Sequence, residues 1–297
     1  CLLRRQRQMC IRDRPSTIWL AAALFLGLTW FELVWRKPGN PTHIGIVFIL
    51  LMLITTGTRI IFSKASIEVD PLHLLHHLYA KLRFTLSKPI YKNMLENIAN
   101  LSNFKGMEYF ILLMIGTVTY DGLRGTTFWY NLFGSSTLDI TFSTFAFFGI
   151  NIVIIGSYRF ACWFALKVSG EKQDLNNISL LFGHTMLPIA FAYHVTHYLS
   201  LLLYESQTIL YRLNDPYGIG WNLFGIDEVT INYFLTPVAL WGIQVFVTLA
   251  GHMLSVVLAH DLAIKLFGHQ QSDKTQYIFL LITVGLTLQA LFVLSVP

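Results

Sequence analysis

This 297-residue chain predicts an all-α, polytopic transmembrane helix bundle of about seven spans with one cytoplasmic amphipathic helix. Three observations carry that expectation. Hydrophobic residues make up 54% of the chain and charged residues only 12%, where a soluble domain carries about 25% charged. Seven apolar runs of 14 to 35 residues, most of them long enough to cross a bilayer, recur along the chain. Lysine and arginine gather in alternate connections between those runs, the pattern that sets membrane orientation.

Residues 1–14, CLLRRQRQMCIRDR, hold five arginines and no helical or strand period, and they read as artefact or unstructured lead. Residues 15–297 form a single transmembrane helical domain, and the absence of an opening methionine makes a fragment of a longer protein the expectation. The first span is 18–35, with Trp19, Trp30 and Trp35 placed to anchor at the interface. Pro38, Gly39, Asn40 and Pro41 then turn the chain into a second span, 43–62, whose Arg59 can snorkel to the headgroups. Between residues 63 and 106, Leu72, Leu75, Leu78, Leu82 and Leu86 recur at helical spacing beside His73, His76, His77, Lys81 and Arg83. That pattern predicts an amphipathic helix on the membrane surface, with His73 and His77 on its solvated face.

The third span, 107–120, ends at Asp121, and an aromatic loop containing FWYNLFG follows. The fourth, 138–166, encloses Asn151 and Arg159. A charge inside an apolar run needs a partner, for which Asp121 and Glu205 are the candidates. The fifth span is 179–207, with a kink expected at Pro188 that frees the carbonyl of His184. A second aromatic loop, with GWNLFG, precedes the sixth span, 232–266. The seventh, 276–296, is apolar apart from Gln289.

Ten lysines and arginines lie on the side of the 63–106 connection and four on the other, which puts the amphipathic helix in the cytoplasm. Outside residues 1–14 the cations fall mainly in these loops, where orientation accounts for them, so nucleic acid is not an expected partner. Cys1, Cys10 and Cys162 show no CxxC or zinc spacing. The sequence has no GxSxG elbow, HExxH or P-loop.

The candidate chemistry lies in the histidines of two spans. His184, His194 and His197 belong to the fifth; His252 and His260, with Asp261, belong to the sixth. An imidazole in lipid is costly, and five on adjacent helices argue for a functional cluster over isolated polar contacts between helices. If the spans are antiparallel, His184 faces His260, and His194 or His197 faces His252, at levels separated by about 12 to 15 Å. Such levels suit a divalent transition metal, with Asp261 as an oxygen ligand or as orienter of a histidine; a metal-bound water would then attack a phosphoryl or acyl centre. Haem b is less well matched, because the histidine spacings on the two helices differ. The rival reading is a metal or haem carrier, an electron-transfer protein or a transporter without hydrolase activity.

The motifs WFELVW (30–35), TVTYDG (117–122), HTMLPIA (184–190), THYLSLLL (196–203) and GHMLSVVLAHD (251–261) together resemble a bacterial family of multi-pass membrane proteins, the fenitrothion hydrolases. The resemblance runs from about Trp19 to the last span. It implies a plasma-membrane hydrolase of organophosphate triesters, with Asp121, His184, His197, His252, His260 and Asp261 at motif positions and Asp121 and Asp261 as its catalytic residues. His194 is the less secure member. Lipid, a small ester substrate or metal ion, and a second membrane subunit are the implied partners.

Overall fold

The structure, a computed structural model, describes residues 18–61, 69–82, 105–171 and 173–295, and every regular element among them is helical. In chain order these are α1 (Ile18–Leu33), α2 (Pro41–Ile61), α3 (Pro71–Ala80), α4 (Met107–Arg124), α5 (Thr127–Phe133), α6 (Ile140–Ser169), α7 (Leu175–Gly183), α8 (Leu187–Leu203), α9 (Ile209–Asn214), α10 (Pro237–Phe267) and α11 (His269–Ser295). Helices occupy all seven expected runs. Five stretches are long and apolar enough to cross a bilayer: Pro41–Ile61, Ile140–Ser169, Leu175–Leu203, Pro237–Phe267 and Lys274–Ser295. α1 is apolar but only 16 residues long, and α4 carries Glu108, Asp121 and Arg124. The expectations for residues 1–14 and for Arg83 and Leu86 fall outside the described residues.

α4 is the axis of the bundle. Fourteen of its 18 residues are buried, because α1, α6, α7, α8 and α11 all pack on it. Small residues allow this approach. A Cβ at Gly116 would collide with the Asn151 side chain of α6, and one at Gly183 would collide with Glu108. The α7–α8 stretch is buried almost as fully, whereas α2 buries only Leu51 and Thr55 and turns most of its apolar surface outward. A helix that is apolar on every side without protein neighbours fits a lipid environment. Exposed Phe145, Ile152, Val153, Phe246, Met253, Leu281 and Leu288 extend that apolar exterior around α6, α10 and α11.

Several local expectations change. α3 is started by Asp70, whose Oδ1 accepts from the N–H groups of Leu72 and His73 at 3.0 and 3.2 Å. It does not lie apart on a surface. Leu74 and Leu78 are buried, α3 packs on α1 and α8, and the Tyr79 ring meets Phe191 and His194 edge-on. The fifth run is not one helix kinked at Pro188. It changes to a 3-10 turn at His184–Met186, and Pro188 falls in the first turn of α8, where its missing N–H costs least. The His184 carbonyl is taken by the Leu187 N–H, so no neighbouring helix is needed to satisfy it. Arg159 pairs with neither proposed carboxylate. It donates to the Tyr109 hydroxyl and to Asn176 Oδ1, both at 3.0 Å, and Glu205 is held by Arg212 at 3.1 Å.

Candidate functional site

The last turn of α4 and the middle of α8 bring Asp121 and His197 together. His197 Nε2 lies 2.6 Å from Asp121 Oδ2, and the Arg124 Nε donates to Asp121 Oδ1 at 3.2 Å. Arg124 also donates to the Leu33 carbonyl at the end of α1. Glu32, on the same turn of α1, lies within electrostatic reach of Asp121, His197 and Arg124. One carboxylate thus ties three helices together near the face opposite the lysine-rich loops. A carboxylate only accepts, so Nε2 of a neutral His197 carries the proton and Nδ1 is the basic nitrogen. Nδ1 has no partner among the described residues. His194 and His252 are set the other way: their Nδ1 atoms donate to the i−4 carbonyls of Ala190 and Thr248 at 2.9 and 2.8 Å.

Beside the couple lies a cavity of ≈ 30 Å³ bordered by Thr119, Tyr193, Thr196, His197 and Gln289. Tyr193 donates to the Leu286 carbonyl at 2.5 Å, with Gln289 Oε1 3.4 Å from its hydroxyl, and Thr119 donates to the same Gln289 oxygen at 3.5 Å. α11 closes over this end of α4, since a Cβ at Gly122 would stand 2.8 Å from Val293 Cγ1.

The histidines of α8 and α10 do not meet as the sequence predicted. Ser255 Oγ donates to the Thr185 carbonyl at 2.7 Å, and Gln244 Nε2 donates to the Thr196 carbonyl at 2.8 Å. These two contacts fix the antiparallel register. His252 then stands level with Pro188, where Gly251 admits the Pro188 carbonyl. His184 stands level with Val256, four residues short of His260, or about 6 Å. His252 misses the level of His194 by six residues, about 9 Å. His260 also faces away, donating through Nδ1 to Gln276 Oε1 on α11 at 3.0 Å and standing exposed beside Tyr277. Asp261 is half-buried and has no hydrogen bond or ion pair among the described residues. Among those residues no three His, Cys, Asp or Glu side chains converge as metal ligands, so the five histidines and Asp261 do not gather into one protein-built metal site.

Two of these imidazoles are instead isolated in the core. His184 is 5% and His252 4% exposed, and the Nε2 of each is buried without a hydrogen-bond partner, as are Thr248 Oγ1, Ser179 Oγ, Asn151 Oδ1 and Tyr79 Oη. Each such atom costs about 1–3 kcal/mol if left unpaired.

Sequence reasoning missed Glu32, Arg124, Tyr193 and Thr248. Glu32 sits in the quoted WFELVW motif, and Arg124 follows Asp121 at i+3, the spacing at which helical side chains meet. Both signals were present. Fold and site together define a polytopic helical membrane protein with a carboxylate–imidazole couple joining its central helices. No protein-family model, curated protein or solved structure matches the chain.

Proposed function

We propose that this chain is a seven-span protein of the bacterial plasma membrane, α1 and α4 completing the five longer spans, and that it binds and passes protons at Asp121–His197. The 2.6 Å contact between side chains of two buried helices carries this reading. Arg124 balances Asp121 while His197 is neutral, and Glu32, within electrostatic reach of all three, balances the added charge when His197 takes up a proton, so the group can bind and release a proton inside the bundle. The adjacent space favours a proton over a larger cargo: ≈ 30 Å³ suits about one water, whereas sites for organic ligands run to roughly 300–1,000 Å³. The lysine-rich connections favour a cytoplasmic basic face, and with that orientation the couple lies toward the outer side.

The motif resemblance and the unpartnered Nδ1 of His197 favour a second reading, a phosphotriester hydrolase in which the same couple acts as general base on water. Asp121 would hold the ring in its Nε2–H tautomer while Nδ1 accepts the proton. Among the described residues no ligand set gathers for the metal-dependent form of that reaction, so no step is assigned to a metal.

Proteoliposomes carrying an internal pH dye separate these readings. Under an imposed pH gradient the wild-type protein should accelerate proton entry, and Asp121→Asn and His197→Gln should each remove most of that flux. Absence of wild-type flux, together with nitrophenyl phosphotriester hydrolysis lost in the same variants, would replace the proton carrier by the hydrolase.

A further inference from the structure

Thr248, His252 and Ser255 lie at i, i+4 and i+7 on one face of α10, and all three are buried. That face turns to α8: Ser255 bonds the Thr185 carbonyl, and the His252 ring lies 5.6 Å from the Tyr193 ring. Yet Thr248 Oγ1, His252 Nε2 and, on the α7–α8 junction, His184 Nε2 have no hydrogen-bond partner among the described residues. Two of these are imidazoles more than nine-tenths buried. Their spacing is informative. Residues one turn apart on a helix face stand about 5–6 Å apart, the span of a single water making two hydrogen bonds of roughly 2.8 Å.

We propose that internal water molecules bridge Thr248, His252, Ser255 and His184, and that this chain connects through Tyr193 to the cavity beside His197. Ser255 donates its own proton to Thr185, so its oxygen lone pairs accept from water. His252 and His184 each present one ring nitrogen, and a bound water needs two to four such partners. At the upper end, the Tyr193 hydroxyl and Gln289 reach the cavity that borders His197. Tyr193 is the titratable group that faces His252 from α8. At the lower end, past the level of His184, the Tyr158 hydroxyl donates to the Ser179 carbonyl at 2.5 Å, and Glu108 and Arg159 stand near the basic face. A proton entering this chain is taken by one water oxygen while another O–H proton is handed on, so no bond is lost and no charge stays behind. The route rests on Asp121–His197 being the proton-binding group; the waters do not.

Millisecond X-ray footprinting of the whole protein in nanodiscs tests it, because radiolysis of bound water labels buried side chains that touch water. His184 and His252 should be oxidised several-fold faster than Phe25 and Phe279, which are as fully buried. The near-isosteric Thr248→Val, checked for a monodisperse elution profile, should reduce labelling of His252 and slow proton flux. Labelling of both histidines no faster than of the two phenylalanines would overturn the water chain. If flux through Asp121 then persisted, the couple would stand without this route. Strong labelling with flux indifferent to Asp121→Asn would retain the waters and discard the couple as their terminus.

Discussion

At Asp121 the chemistry comes from neighbours that are distant in sequence. Its two oxygens are divided between His197, 76 residues away, and Arg124, one turn on. That His197 inside an apolar run and Asp121 at the end of one are costly near lipid was readable from residue type alone. Their pairing was not, because it depends on which faces of α4 and α8 meet. Arg159 makes the same point in reverse. Its position inside a span announces a partner, but the partners are the neutral Tyr109 and Asn176, with Glu108 only in electrostatic reach. Removing it therefore strands no buried carboxylate of its own. Arg159→Leu should cost about 1–2 kcal/mol, the scale of two hydrogen bonds from a charged donor at a half-exposed site. Thermal unfolding in detergent checks this; a loss of several kcal/mol would show that Glu108 depends on the arginine directly.

Helices were easier to foresee than their ends and registers. The seven apolar runs all became helices, with boundaries shifted by a few residues where caps decide them: Thr236 starts α10 five residues after the expected span began, its Oγ1 accepting from the Ala239 N–H. The two aromatic segments show what hydropathy cannot see. WYNLFG at 129–134 is largely helical because Thr126 caps α5, accepting from the Trp129 N–H. WNLFG at 221–225 is not helical. There Asn214 Oδ1 takes the Phe224 N–H and Asp215 takes those of Ile219 and Gly220, while Gly218 and Gly220 adopt positive φ. The register of α8 against α10 was not legible, and it sets His184 about four residues from the level of His260, which also turns toward Gln276 of α11. That register depends on Gly251, whose absent Cβ leaves room for Ala192 and the Pro188 carbonyl. Gly251→Ala should separate the helices and destabilise the protein by about 1–3 kcal/mol, as overpacking does. Gly242→Ala, on the same helix with no atom near its Cβ position, should be neutral or slightly stabilising through helix propensity. Equal melting temperatures for the two variants would show that the interface adjusts freely.

Taken whole, the molecule is a helical bundle whose apolar exterior turns outward on α2, α6, α10 and α11 and whose most buried helix carries its paired charges. Composition predicted that division, because 12% charged residues cannot clothe a soluble surface of this size. It could not predict where the buried polar groups connect. The sequence placed five histidines on two helices and suggested one cluster; packing sends His260 to α11, His194 to Tyr79, His197 to α4, and leaves His184 and His252 within the core. The account stands on the Asp121–His197 couple, and ¹⁵N NMR of histidine-labelled protein in bilayers tests it most directly. One imidazole should show an Nε2–H strongly hydrogen-bonded to a carboxylate, should vanish from the spectrum in His197→Gln, and should lose that hydrogen-bonded shift in Asp121→Asn. A His197 resonance unchanged by Asp121→Asn would contradict the pairing and with it the proposed function.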